Sequence, residues 1–538
     1  MMAGPNLYWI LVGVAVAAAT ASCAHGFAIE AVLPTVKSRT CSLPALTIGN
    51  EIQEQVMSTS PETSVVVVKR NRQSMEFRNG SPLVFEGAIA YTLSSSSAIR
   101  MGEWVRVEVE MSKSSGKNKA KPPHHLFSDD FARQTQDRQV LGWGVFNPHS
   151  LYRVRILCHA SLHPDWCRQL SSSFHDPISL VVMKKLQAAM WTRTQLLRLP
   201  NSETDSFRMV NGEGDGLSGL AVDILGGQVA VVMSSAAWCE VHRATILNSL
   251  TNVLQDHYVD GIDIVWKVTP SRLKQDGYDD DDEVDDARSN ALQEARVVPI
   301  KELGITYQSF PFEIGQKTGF YCDQRENRWN LASHCDGKRV LDLCCYHGGF
   351  ALNAKVNGNA RFCVGVDSSG PAIANCIANA QLNGVRVLGE EEGVDPSDQE
   401  EEGVMFVQQD ISQFTKNCRD EFDVIVLDPP KLAPTVSGLA RASRKYAALN
   451  RDALRLISKE RGGLFLTCTC SAAMKQKDGG QYFLKVVQEA ALSAGRVVTL
   501  LSTSGAASCH TQNPSSYPAG AYLTAALFSV APTTVDTA

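Results

Sequence analysis

The feature that most constrains this fold is the last third of the chain, where short apolar runs alternate with helical segments. Seven apolar runs lie at residues 339–344, 362–367, 405–410, 422–428, 463–470, 497–501 and 522–530. Stretches with helical spacing, such as 371–382 and 439–458, separate them. Near-continuous apolar strands that alternate with helices indicate a parallel sheet covered on both faces. We therefore predict an α/β domain with a seven-stranded sheet over residues 311–530.

The chain upstream of this region follows a different pattern. Short β-branched runs lie at residues 65–68, 84–89, 104–109, 140–146 and 154–157. They predict a small β-rich module over residues 60–160. Helical spacing at 178–198 and 241–254, with strands within 219–234 and 262–268, predicts a mixed α/β middle domain over 170–310.

The first 50 residues have the composition of a targeting region. Residues 7–24 are apolar with small residues toward their end, which is typical of a signal peptide, although no Lys or Arg precedes them. A single membrane anchor is the alternative. Residues 25–50 resemble a transit peptide, and the two-part pattern favours a plastid of the secondary type. Mitochondrial or cytosolic localisation stays open, and we expect no stable membrane association after processing.

The cysteine usage and the charge of the chain restrict the compartment and the kinds of partner that we expect. The fifteen cysteines are dispersed and form no CxxC pair, which argues for a reducing compartment and against a zinc ribbon. The net charge is -6, yet the acidic runs at 279–286 and 390–402 together carry more negative charge than this excess. The remainder of the chain is therefore basic and compatible with a polyanionic partner. The run at 279–286 is most simply a solvated insertion loop.

Four predicted strands of the last domain end at or near an acid. Asp342 lies in the first strand, before a turn with Gly348 and Gly349; Asp367, Asp410 and Asp428 follow the next three strands. Ligands of open α/β sheets bind beyond the carboxyl ends of the strands. An acid at Asp367 can bind ribose hydroxyls, and Asp410 is placed for an adenine amino group. Because GxGxxG is absent, S-adenosylmethionine fits better than a dinucleotide, although each acid alone is also explained as a strand-end cap.

Cys470, at the end of the fifth strand, is the candidate nucleophile. A thiolate that attacks C6 of a pyrimidine makes C5 able to accept a methyl group. Asp428 would hydrogen-bond the base edge and stabilise the developing charge. The alternative is a buried structural cysteine, the commonest fate of the residue, and Cys468 shares the same strand phase. The sequence does not identify the base that removes the C5 proton.

These residues belong to longer motifs that resemble a known family. The motifs are residues 215–223 (DGLSGLAVD), 315–328 (GQKTGFYCDQRENR), 346–350 (YHGGF), 428–431 (DPPK) and 469–471 (TCS). The chain resembles bacterial large-subunit rRNA cytosine-5 methyltransferases, which have an N-terminal PUA domain, a middle domain and a class I, Rossmann-like methyltransferase domain. The resemblance implies a PUA-like RNA-binding barrel at 60–160 and a nucleophile at Cys470. The chain departs from the family at Ser508-Cys509-His510, where an Asp-His-Pro triplet is usual.

The resemblance and the strand-end pattern together give the candidate site. The expected cofactor-binding residues are Asp342, Tyr346, Gly348, Gly349, Phe350, Asp367, Ser368, Asp410, Gln316, Lys317 and Thr318, the last three from the segment that closes the pocket in the family. The candidate RNA contacts are Lys69, Arg70, Arg72, Arg78, Arg153, Arg155 and Lys431. A solvated strand face is the alternative for the arginines of the β-rich module.

The leading hypothesis is an S-adenosylmethionine-dependent enzyme that forms 5-methylcytosine in large-subunit rRNA. Its partner would be rRNA or the assembling large ribosomal subunit, with no metal, and a homodimer is open. One alternative is an rRNA methyltransferase for another base, such as guanine N7, which needs no cysteine. Another is a non-catalytic RNA-binding assembly factor. A small-molecule methyltransferase is disfavoured, because it would have little use for a PUA-like module.

Overall fold

A computed structural model describes most of the chain. The described residues are 63–70, 80–94, 98–110, 138–171, 176–279, 296–312, 318–389, 402–432 and 438–533. The predictions for residues 1–50, Arg72, Arg78, Gln316 and Lys317, and for nearly all of both acidic runs, lie outside these ranges. No helix within the described ranges is long and apolar enough to cross a membrane.

The N-terminal part contains a six-stranded sheet. Its strands are β1 (Val65–Val68), β2 (Leu83–Phe85), β3 (Ile89–Leu93), β4 (Trp104–Glu110), β5 (Arg138–Phe146) and β6 (Tyr152–His159). The order is β2-β6-β5-β4-β1-β3, and β1 and β4 are the parallel pair. The prediction of one strand over 84–89 is wrong, because a 3-10 turn at Glu86–Ala88 sends β2 and β3 to opposite edges of the sheet. Since three residues join those edges, the sheet must be strongly curled.

A second, four-stranded sheet lies in the middle of the chain. Its order is β10-β9-β8-β7, with β7 (Phe207–Asn211), β8 (Leu220–Leu225), β9 (Val229–Ser234) and β10 (Asp263–Val268). The accompanying helices are α1 (Pro164–Ser171), α2 (Pro177–Trp191), α3 (Ala237–Val241), α4 (Arg243–Gln255) and α5 (Pro270–Gln275). The helix predicted over 178–198 ends at Trp191 and continues as a π-helical turn, Thr192–Leu196. The α/β pattern predicted here is present.

A hairpin that the sequence analysis missed joins this region to the last one. It consists of β11 (Val298–Glu302) and β12 (Ile305–Ser309). Its two-residue turn has φ of 54° at Leu303 and 80° at Gly304. Positive φ at both central positions is the geometry of a tight hairpin turn, but Leu is an unusual residue there. The turn therefore carried little sequence signal.

The last part is a seven-stranded sheet. Its strands are β13 (Arg339–Leu343), β14 (Phe362–Asp367), β15 (Gly403–Gln408), β16 (Val424–Leu427), β17 (Gly463–Thr469), β18 (Val498–Ser504) and β19 (Thr524–Val530). The order is β15-β14-β13-β16-β17-β19-β18, and only β19 is antiparallel to its neighbours. The helices are α6 (Arg325–Ala332), α7 (Gly349–Val356), α8 (Gly370–Leu382), α9 (Ile411–Asn417), α10 (Leu439–Leu454), α11 (Ala472–Gln476) and α12 (Gln481–Ser493).

This strand order determines where a ligand can bind. From β13 the chain first adds β14 and β15 on one side, and then β16 and β17 on the other. The helices that follow β13 and β16 therefore diverge and leave a crevice at the carboxyl ends of these two strands. The predicted strand-end acids lie around this topological switch point.

Candidate functional site

One cleft of about 1270 Å³ opens at the carboxyl edge of the seven-stranded sheet. It is lined by eleven of the predicted site residues, namely Arg155, Thr318, Tyr346, Gly349, Phe350, Asp367, Ser368, Asp410, Asp428, Lys431 and Cys470. Asp342 and Gly348 are not among its lining residues, and neither is Arg70. The structure thus brings the predicted catalytic pair and most of the predicted cofactor residues to one cavity.

The turn after β13 is held in place by Asp367. Its Oδ2 accepts a hydrogen bond from the Tyr346 backbone N–H at 3.1 Å, and its Oδ1 accepts one from Ser369 N–H at 2.9 Å. Tyr346 has a φ of 51° and Gly348 one of 80°, a left-handed conformation that favours glycine at the second position. The half-buried Asp367 carboxylate therefore orients the turn while it lines the cleft.

Asp342 lies behind this turn rather than in the cleft. It is 1% exposed, and its Oδ2 accepts the Ala351 backbone N–H at 3.0 Å. Its Oδ1 has no hydrogen-bond partner in the described part of the chain. Burial raises the pKa of Asp342 to about 7, and the negative charge of Asp428 adds to the effect. Asp342 therefore holds the first turn of α7 in place through its hydrogen bond with Ala351.

Asp410 and Ser368 are exposed at the rim of the cleft. Asp410 lies two residues beyond the end of β15 and caps α9, where its Oδ1 accepts hydrogen bonds from Ser412 N–H at 2.9 Å and Gln413 N–H at 3.1 Å. The strand-end cap that the sequence analysis considered for each acid is therefore present at Asp410. Both bonds use the same oxygen atom.

Asp428 follows β16 and contacts a residue that the sequence analysis did not single out. The Gln324 side-chain N–H donates to Asp428 Oδ2 at 2.9 Å. Burial and the charge of Asp323 together raise the pKa of Asp428 to about 6, against the opposing effect of the Gln324 hydrogen bond. Gln324 and Asp323 also line the cleft. Both belong to the 315–328 motif, which was the available signal for them.

Cys470 and Cys468 have different environments at the end of β17. Cys470 is half-buried and lines the cleft, whereas Cys468 is 0% exposed, and burial raises its pKa well above the usual range. The intervening Thr469 donates from its hydroxyl to the Tyr446 hydroxyl at 3.0 Å. Ser471 caps α11 by accepting the Met474 N–H at 3.4 Å. The strand end that carries Cys470 is thus fixed on both sides.

Some of the predicted RNA contacts are exposed, whereas others form ion pairs within the protein. Arg70 and Lys431 are exposed. Arg153 forms an ion pair with Glu86 at 2.5 Å. Arg155 is 8% exposed and pairs with Asp276 at 3.0 Å. The charge of these last two arginines is compensated within the protein.

The loop that departs from the Asp-His-Pro pattern is anchored by a buried arginine. Arg193 is 0% exposed, pairs with Asp215 at 2.6 Å, and donates to the Cys509 carbonyl at 2.6 Å. The neighbouring His510 lines the cleft, and burial lowers its pKa well below the usual range. The structure therefore attaches this loop to the middle region of the chain. Sequence reasoning gave no indication of Arg193, which lies in an apolar helical stretch.

Metal ligands and disulfide bonds also bear on the chemistry of the site. Among the described residues, no group of three or more His, Cys, Asp or Glu side chains is arranged to hold a metal ion. The thirteen cysteines in the described ranges form no disulfide.

The sheet order, the single antiparallel strand and the acid-lined switch point define a class I S-adenosylmethionine-dependent methyltransferase. Solved structures share this fold. A methyltransferase crystallised with SAH (S-adenosylhomocysteine) matches with a TM-score of 0.60 and 18% identity, over 86% of this chain and 99% of that one. An S-adenosylmethionine-dependent methyltransferase structure from Streptococcus mutans matches with a TM-score of 0.59, 18% identity, and 86% and 100% coverage.

Sequence comparison gives the family. The chain is 30% identical over 389 residues to ribosomal RNA large subunit methyltransferase I of Alteromonas mediterranea. The aligned region covers 71% of this chain and 85% of that protein. The Klebsiella pneumoniae protein of the same name is 31% identical with the same coverage. No protein-family model matches the chain. The chain belongs to the ribosomal RNA large subunit methyltransferase I family, which confirms the resemblance to large-subunit rRNA methyltransferases.

Proposed function

We propose that this chain is an S-adenosylmethionine-dependent methyltransferase that forms 5-methylcytosine in large-subunit rRNA, with Cys470 as the nucleophile. The observation that carries the proposal is that Cys470 and Asp428 line one cleft at the switch point of the sheet. Membership of the large-subunit rRNA methyltransferase family supports the substrate class.

The residues around the cleft fit S-adenosylmethionine. The half-buried Asp367 carboxylate suits two ribose hydroxyls. Residues 344–350 contain no Lys or Arg, so the turn suits a ligand without phosphate groups. When bound, S-adenosylmethionine supplies an electrophilic methyl group.

The side chains of the cleft account for the remaining chemistry. The Cys470 thiolate forms a bond to C6 of the target cytosine, and electron density moves toward N3 and C5. Asp428, whose pKa is raised to about 6, is protonated in a fraction of the molecules near neutral pH, and this acid form donates its proton to N3 as negative charge develops. After C5 is methylated, a base removes the C5 proton, and the electron pair of that C–H bond expels the Cys470 thiolate. N3 returns its proton to Asp428 once C5 is methylated, and loss of the thiolate restores the 5,6 double bond and the free enzyme.

Two finer predictions belong to the same proposal. The curled six-stranded sheet of residues 65–159 is proposed to act as a PUA-like RNA-binding module, with Arg70 as a contact. The N-terminal region is proposed to direct the protein to a plastid, where the rRNA or the assembling large subunit is the substrate.

The test is transfer of labelled methyl groups from S-adenosylmethionine to organellar rRNA, with nucleosides identified by mass spectrometry. Wild type is expected to produce 5-methylcytosine, and Cys470→Ala is expected to lose it while retaining S-adenosylmethionine binding and thermal stability. RNA that contains 5-fluorocytosine should form a denaturant-stable adduct with wild type only, because the fluorine at C5 cannot leave as a proton would.

The control variant is Cys468→Ala, which changes the neighbouring buried cysteine and should retain product formation. Methylation by Cys470→Ala, or a methylated purine as product, would contradict the cysteine mechanism and favour the guanine alternative. The absence of transfer to any RNA would favour a binding factor.

A further inference from the structure

Helix α10 has an exposed basic surface near its start. Arg441, Arg444 and Lys445 are all exposed, and we name these three residues the basic strip. Their spacing of three and four residues places them on one face of the helix. Buried Ala442, Tyr446 and the residues that follow at helical spacing form the opposite face, against the sheet. The basic strip therefore faces solvent rather than the core.

The charges of the basic strip are not explained by helix stability. The first turn of α10 contains no acidic residue, and cations are unfavourable near the positive end of a helix dipole. The basic strip has no ion-pair partner among the described residues. In the last turn of the same helix and just beyond it, by contrast, Arg451 and Arg455 both pair with Asp452. A local structural role thus accounts for the cations at the end of α10 but not for those at its start.

The position of the basic strip connects it to the cleft. Helix α10 follows β16 and precedes the parallel β17, so its first turns lie at the carboxyl edge of the sheet. Lys445 lines the same cleft as Asp428 and Cys470, and Lys431 does so as well. The adjacent Tyr446 bonds to Thr469, the residue before Cys470. The basic strip therefore flanks the strand end that carries the proposed nucleophile.

We propose that the basic strip binds the phosphate groups of the rRNA strand next to the target nucleotide. This inference rests on the proposed function and adds a contact surface to it. A base that enters the cleft keeps its backbone outside, so the neighbouring phosphates must pass over the cleft rim. Exposed, unpaired arginine and lysine side chains are the groups that bind such phosphates. Arg153 and Arg155 of the N-terminal sheet are engaged by Glu86 and Asp276 and leave this role open.

The test compares two triple variants with the same change of net charge. The first is Arg441→Gln/Arg444→Gln/Lys445→Gln. The control is Lys338→Gln/Lys416→Gln/Lys459→Gln, three exposed lysines at the amino edge of the same sheet, before β13, at the end of α9 and before β17. Binding of a large-subunit rRNA fragment is measured by fluorescence anisotropy over a range of salt concentrations, together with kcat, KM and thermal stability.

The strip variant is expected to bind RNA at least about tenfold more weakly and to lose roughly two units of the salt-dependence slope, since each phosphate contact contributes about 0.7–0.9. Its KM for RNA should rise, with kcat at saturating RNA changed little. The control should resemble wild type.

Equal weakening in both triple variants would mean that only net charge matters, and it would overturn the inference. Wild-type affinity and slope in the strip variant would also overturn it, while rRNA methylation by wild type would leave the proposed function intact. If wild type itself neither bound nor methylated rRNA, the proposed function would fail, and the inference with it.

Discussion

The N-terminal sheet and the methyltransferase sheet differ in whether their acidic side chains form ion pairs. Glu108, in the middle of β4, is 0% exposed and lies 2.7 Å from Arg106 Nε and 3.1 Å from Arg138 Nε. Asp342 is 1% exposed, yet neither it nor Asp428 forms an ion pair within the described ranges. The nearby Arg328 pairs instead with Glu302 at 2.5 Å.

This difference in ion pairing distinguishes an acid that stabilises the fold from acids that are candidates for a role in catalysis. A buried carboxylate with two arginines has its charge compensated inside the protein. The pKa values of Asp342 and Asp428 are raised to about 7 and about 6, chiefly by burial without a paired cation. Carboxyl groups that are buried, uncompensated and close to a cleft are typical of functional sites. The comparison predicts that substitutions in the two sheets affect different properties.

Asp428→Asn should give the largest effect, on catalysis alone. We expect kcat to fall by roughly 10²–10³, the size of a lost transition-state hydrogen bond, because asparagine has no proton to give to N3. Thermal stability should be unchanged or slightly higher, because the charge of a half-buried carboxylate with no ion-pair partner in the described ranges is removed and the Asn oxygen can still accept from Gln324. Single-turnover methylation and thermal melting measure the two properties.

The control for this variant is Asp420→Asn, an exposed position in the loop before β16. It should alter neither property. If Asp428→Asn retained the wild-type kcat, or lost stability instead, the distinction between the two sheets would not hold for this acid.

Glu108→Gln should have the converse effect. This change removes the buried negative charge that both Arg106 and Arg138 contact, and because both arginines are partly exposed the cost is about 1–3 kcal/mol. We expect the N-terminal sheet to melt at a lower temperature while affinity for S-adenosylmethionine, measured by calorimetry, stays the same. The matched control is Glu110→Gln, an exposed position on the same strand. Equal stability of the two variants would contradict the structural role of Glu108.

Most of the methyltransferase sheet was predictable because its strands are buried on both faces and read as apolar runs. The runs at 362–367 and 463–470 match β14 and β17 to within one residue. The acids that follow such strands were also visible, because parallel strands bring their carboxyl ends to one edge. The residues around the switch point could therefore be predicted from local sequence patterns alone.

The missed features depend on contacts that no local pattern encodes. Gln324 meets Asp428 across 104 residues, and Arg193 meets the Cys509 carbonyl across 316. Neither pairing has a spacing rule, since tertiary packing alone brings the two side chains together. The strand break at Glu86–Ala88 was hidden because the residues on both sides are equally apolar. The division of the chain into three domains stays a prediction.

The smallest expected effect concerns Gln324. Its hydrogen bond favours the charged form of Asp428, so Gln324→Met should raise the pKa of that carboxyl above its value of about 6. A neutral hydrogen bond contributes about 0.5–1.5 kcal/mol, which corresponds to roughly half to one pH unit. Because the proposed mechanism needs protonated Asp428, the alkaline limb of the kcat/KM profile should move to higher pH by that amount. Gln512→Met changes another cleft-lining glutamine and should leave the profile in place. A shift to lower pH would contradict the prediction, because it would mean that Gln324 stabilises the protonated form of Asp428 rather than the ionised form.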